Sequence, residues 1–132
     1  MATTTERPLE SREDMARAGL VAFFNIAEKW GLSPKEQQVL LGVGESTFYK
    51  WRQHPPRRLS RDTLERISHI LGIYKDLHIL LQDPEDADTW VRRPNKNPLF
   101  GGKPALDRML GGAVSDLFEV RQHLDAQRGG WA

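Results

Sequence analysis

The chain has 132 residues, 39% hydrophobic and 28% charged, with 19 basic against 18 acidic side chains and a formal net charge of +1. That length suits one domain or a small domain with an appendage, and the absence of cysteine excludes a disulfide scaffold, a thiolate zinc site and a cysteine nucleophile. No run approaches the ~18 apolar residues of a membrane span, and the polar opening stretch lacks a secretory apolar core, so a cytoplasmic protein is expected.

Residues 1–11 are polar, carry Pro8 and show no period, which predicts a disordered tail. From Asp14 the pattern turns helical: Ala16, Leu20, Phe23, Phe24, Ala27 and Trp30 form one apolar stripe, and Gly31 marks its end. Ser33-Pro34 opens a short helix to Leu41, because serine caps free amides and proline at the first turn loses no hydrogen bond. Gly42-Val43-Gly44 interrupts it. A second short helix starts at Glu45 or Ser46 and ends before His54-Pro55-Pro56. Ser60 caps a long helix from Arg61 to about Gln82, with the stripe Leu64, Ile67, Ile70, Leu71, Tyr74, Leu77, His78 and Leu81; Gly72 is placed to bend or divide it. Asp83-Pro84 opens an acidic helix to about Arg92. The Pro- and Gly-rich stretch Arg93–Pro104 is the main break. Two helices follow, Pro104–Leu110 and Ala113 to about Gln127, the latter with Val114, Leu117, Phe118 and Leu124 on one face. No alternating strand pattern occurs, so the fold class is all-α.

Two short helices joined by a glycine-containing turn form the helix-turn-helix pattern. In the second helix Phe48 and Trp51 sit three apart and face a core, whereas Ser46, Thr47, Tyr49, Lys50 and Arg52 carry the hydroxyl and cationic groups suited to phosphates and base edges. From Ser46 to Arg66 there are six basic residues (Lys50, Arg52, Arg57, Arg58, Arg61, Arg66) against Asp62 and Glu65, and Arg57 and Arg58 are placed to clamp phosphates. So weakly charged a module binds poorly alone at physiological salt, which predicts a homodimer on a palindrome. The same residues also fit a plain helical hairpin with a solvated cationic face.

No catalytic or metal pattern competes with this. His54, His69, His78 and His123 have no metal-ligand spacing, and His78 on the apolar stripe fits a hydrogen-bonded core histidine. Asp83, Glu85, Asp86 and Asp88 fail the calcium-loop spacing and suit a helix start. Gly101-Gly102-Lys103-Pro104 lacks the phosphate-loop spacing, and no serine has a nucleophile-elbow context. No enzyme, cofactor or metal is expected.

The C-terminal third is more specific. Trp90-Val91, the segment Asn97-Pro98-Leu99-Phe100-Gly101-Gly102-Lys103-Pro104-Ala105-Leu106-Asp107-Arg108-Met109-Leu110, a closing helix and Gly129-Gly130-Trp131 resemble the toxin-binding domain of Xre/MbcA/ParS-type antitoxins over about residues 84–132. Ser46-Thr47-Phe48-Tyr49-Lys50-Trp51-Arg52 is similar, more loosely, to the family's Xre-like helix-turn-helix. Gly111-Gly112 departs from the Gly-Glu-like turn frequent in relatives, which leaves the cap of the last helix open.

The resemblance implies an antitoxin whose cognate partner is a RES-domain toxin, an enzyme that attacks NAD or transfers ADP-ribose from it. It further implies that the antitoxin covers the toxin's NAD pocket with its C-terminal end and represses its operon by binding operator DNA. By position the blocking element is Arg128, Gly129, Gly130, Trp131 and Ala132. Glycines permit close approach, Trp131 is an aromatic anchor, and an arginine suits a phosphate pocket. The corresponding division is a tail at 1–11, a DNA-binding and dimerisation domain at 12–82, and a toxin-binding domain at 83–132. The alternative is a stand-alone transcriptional regulator whose C-terminal domain dimerises or senses a ligand.

Overall fold

The computed structural model describes residues 9–129, with side chains from residue 12 onward. Among the described residues seven α-helices follow one another: α1 (Leu9–Lys29), α2 (Pro34–Leu41), α3 (Glu45–Gln53), α4 (Arg61–Leu80), α5 (Pro84–Thr89), α6 (Ala105–Met109) and α7 (Val114–Gly129), with a 3-10 turn at Trp90–Arg92 prolonging α5. Among the described residues there is no strand beyond an isolated bridge between Pro94 and Pro104. The all-α expectation holds.

Local chemistry sets most helix starts. Ser33 Oγ accepts from the Glu36 N–H at 3.0 Å while Glu36 Oε1 accepts from the Ser33 N–H at 2.9 Å, a reciprocal cap with Pro34 in the first turn. Ser60 accepts from Thr63 at 3.1 Å and Asp83 from Glu85 at 3.0 Å. At the start of the last helix, left open by the sequence, Asp116 Oδ2 accepts from the Ala113 N–H at 3.2 Å.

Several expected boundaries move. The tail through Ser11 is corrected: α1 already begins at Leu9, because nothing after Pro8 opposes a helix that outruns its buried stripe. Residues 1–8 lie outside the described part. The start of α3 falls at Glu45, one of the two expected positions, with Gly44 before it and no side-chain acceptor at the cap. Gly72 does not divide α4, which runs unbroken to Leu80; it makes room for Arg121, whose Nε would lie 2.4 Å from a Cβ there. The last helix extends past Gln127, so Arg128 and Gly129 are helical.

The core is one cluster spanning both halves of the chain. Leu20 and Phe23 of α1, Trp30 just past its end, Leu40 and Leu41 of α2 and Phe48 of α3 meet Ile67, Ile70, Ile73 and Leu77 of α4, with Val91, Met109, Leu117, Val120 and Leu124 beyond. Between α1 and α7, α4 is covered on both flanks. Its buried arc is therefore wider than a single stripe and takes in Thr63, Arg66, His69 and Asp76. Leu64 and Phe118, expected inward, are instead 42% and 48% exposed. Cross-contacts advance from 66–112 through 69–118 and 68–121 to 76–128, so α7 runs parallel to α4.

The segment between α5 and α6 makes that parallel return possible. Asn95 donates its N–H to Lys103 O at 3.2 Å and accepts from Gly102 at 2.9 Å, closing the loop. Asn97 Oδ1 accepts from Leu99 at 2.9 Å, and Gly101 and Gly102 take φ of 61° and 86°, values that favour glycine. Phe100 is thereby driven inward onto Trp90 and His123, with ring centroids at 5.9 and 5.6 Å.

Candidate nucleic-acid interface and C-terminal surface

On α3, Phe48 is 1% exposed and Trp51 is half-buried, which turns the opposite side outward. Ser46, Tyr49, Lys50 and Gln53 follow the i, i+3, i+4, i+7 spacing of one helical face, and all four are exposed. Gln53 was missed by the sequence reading although its position in that period marks it. Thr47 is half-buried on one flank. Arg52, on the other flank, lies over the Phe24 ring with its guanidinium carbon 5.2 Å from the centroid.

Beside this face, Ser33, Lys35, Gln38, Gly42, Glu45 and Tyr49 line an open groove of about 600 Å³ between α2 and α3. Lys35 of α2, exposed at this groove, adds a cation there. Arg57 and Arg58 are exposed in the loop after α3 and border a second groove, of about 380 Å³, with Arg12 and Leu64. Arg66, counted among the basic residues by sequence, is internal: it bonds Asp62, Val39 O and Gly112 O.

On the other side of α4, α7 buries Leu117, Val120 and Leu124. Arg108 pairs with Glu119 to join α6 to α7. Asp76 of α4 is 1% exposed, and its Oδ1 accepts from Arg128 Nη1 at 3.1 Å. Burial raises the Asp76 carboxyl above the usual carboxylate range; Asp125 adds to the rise and Arg128 opposes it. Of the expected blocking residues, Arg128 is thus held on α4, Gly129 ends α7, and Gly130, Trp131 and Ala132 lie outside the described residues. His78 takes the expected bonded role, with Nε2 2.8 Å from Asp88 Oδ1 and its ring 4.3 Å from that of Tyr74.

No group of three or more potential metal-ligating side chains gathers among the described residues. No helix among them is long and apolar enough to cross a membrane.

Residues 11–72 match the antitoxin Xre-like helix-turn-helix domain, and residues 76–130 match the antitoxin Xre/MbcA/ParS C-terminal toxin-binding domain. Over 120 residues, 89% of this chain and 91% of the relative, the sequence is 54% identical to the uncharacterized protein y4oB of Sinorhizobium fredii. An exposed polar face on the second helix of a helix-turn-helix, followed by helices of a toxin-binding domain, is a binding arrangement and not a catalytic one. The chain belongs to the Xre/MbcA/ParS antitoxins, non-enzymatic proteins that join a helix-turn-helix to a toxin-binding domain.

Proposed function

We propose that this antitoxin belongs to a type II pair whose toxin carries a RES domain and consumes NAD or transfers ADP-ribose from it. The segment Arg128–Ala132 covers the toxin's NAD pocket. The same chain, as a cytoplasmic homodimer, represses its operon by laying α3 in the major groove of operator DNA. Residues 12–82 serve DNA and dimerisation, and 83–132 serve the toxin. On the DNA side Ser46, Thr47, Tyr49, Lys50 and Arg52 face the groove, and Arg57 and Arg58 clamp phosphates.

The observation that carries this reading is the toxin-binding-domain match over residues 76–130, which extends to the end of α7. The outward stripe Ser46, Tyr49, Lys50 and Gln53 supports the DNA half, since recognition helices use such a face. The test is the NAD consumption of the neighbouring gene's product, assayed with the full chain and with a chain ending at Gly129. That cut removes Gly130–Ala132 and leaves the Arg128–Asp76 pair intact. The expected result is restored NAD loss with the shortened chain while the two proteins still associate. Full inhibition by both would move the blocking element into α6 and α7. No inhibition by either would leave a stand-alone regulator.

A further inference from the structure

Both ends of α2 are held by arginines that lie outside it. Arg92, in the 3-10 turn after α5, donates from Nε to Trp30 O at 2.8 Å, and from Nη2 to Gly31 O at 2.7 Å and Glu36 Oε1 at 2.8 Å. The two carbonyls lie at the end of α1, where a helix leaves acceptors unused. Glu36 is the carboxylate of the α2 cap. One planar guanidinium therefore fixes the corner between α1 and α2, with a fork an ammonium cannot reproduce. Burial alone would raise the Glu36 carboxyl, but the Ser33 N–H and Arg92 outweigh it and hold the group below its ordinary value.

At the far end of α2, Arg66 of α4 lies against Gly42, where a Cβ would come within 2.7 Å of Nε. Its Nη1 donates to Val39 O at 3.3 Å, its Nη2 to Gly112 O at 2.8 Å, and its Nε to Asp62 at 2.8 Å. Arg92 and Gly112 both belong to the segment that matches the toxin-binding domain. Helices of eight and nine residues, joined by Gly42-Val43-Gly44, do not hold their own mutual angle. The two arginines fix α2 on the end of α1 and on α4, and Phe48, packed in the core, seats α3 beside it.

We propose that Arg92 and Arg66 are positioning residues for DNA reading, through which the toxin-binding half sets the angle at which α2 presents α3. This rests on the reading that α3 enters the groove, and neither arginine touches DNA in it. A misplaced recognition helix loses base contacts before it loses phosphate attraction, so specific and random DNA separate the two effects.

The experiment uses the full chain with a labelled duplex from the region upstream of its gene and a random duplex of equal length. For Arg92→Ala, affinity for the upstream duplex falls about tenfold, within the usual range of coupling between sites. Affinity for the random duplex stays, and so does the dependence on salt, because no phosphate contact is lost. Glu36→Gln keeps shape and an acceptor and shifts the same ratio by a smaller factor; it decides the matter should Arg92→Ala fail to fold. Equal loss on both duplexes would mark a fold defect, a flatter salt dependence would mark a direct phosphate contact, and an unchanged upstream affinity would mark no coupling. Each of those overturns the proposal. Failure of the unmodified chain to tell the duplexes apart overturns the DNA reading itself, and the proposal with it.

Discussion

His69 is 8% exposed on α4, and neither ring nitrogen has a hydrogen-bond partner. Burial pushes its pKa below the ordinary histidine value and Arg121 adds to that, while Glu65, 3.6 Å away, and Asp125 oppose it. A depressed histidine stabilises the fold above its unfolded pKa, ordinarily 6.5, and that stability is lost as pH falls through the folded value. Melting temperature should therefore drop between pH 7 and pH 5, and His69→Phe should flatten the drop; a variant with an unchanged pH profile would locate the titration elsewhere, with His123, also depressed by burial, the next to replace. On the same helix Asp76 presents the reverse case. Arg128→Ala leaves a buried carboxylate without its cation and should cost roughly 1–3 kcal/mol, a range held low because the arginine side chain is 40% exposed. Asp76→Asn keeps an acceptor for Arg128 without the buried charge, and its thermal melt should match or exceed the parent's.

The helices divide their residues sharply between packing and binding, and α3 shows the division best. Phe48→Ala should cost about 3–5 kcal/mol by emptying a filled site, read as a shift in denaturant midpoint. Lys50→Ala should leave that midpoint within about 0.5 kcal/mol yet weaken binding to the upstream duplex by about 1–3 kcal/mol if Lys50 reads a base. Much of the helix layout was legible: Ser33, Ser60 and Asp83 cap α2, α4 and α5 through atoms two or three residues away, and in α3 Phe48 with Trp51 shows its period locally. Gly72 misled because its reason, the Arg121 side chain, comes from 49 positions along the chain. Arg52 and Arg66 count equally as charge in a sequence; only the fold lays one over Phe24 and buries the other between α2 and Gly112.

At the level of the whole molecule, the parallel run of α7 along α4 could not be read from sequence, since no local signal sets the direction in which a distant helix returns. What the sequence did show was the Pro- and Gly-rich break at Arg93–Pro104; that it closes as an Asn95–Lys103 loop with Phe100 turned inward emerges only in the fold. The consequence is a core with no internal boundary: Ile70, Ile73 and Leu77 belong to the same cluster as Phe23 and Phe48 before them and Leu117, Val120 and Leu124 after. Arg66 and Arg92 cross between the halves as well. Two family segments therefore share one set of buried contacts, and neither can lose its packing without exposing the other's. Heat or denaturant should unfold the chain in one cooperative step. Near-UV circular dichroism, which senses Trp30 and Trp51 in one half and Trp90 in the other, should follow the same curve as the far-UV helix signal. Two separated transitions would show that the halves fold independently, and the arginine tethers would then act between domains and not within one.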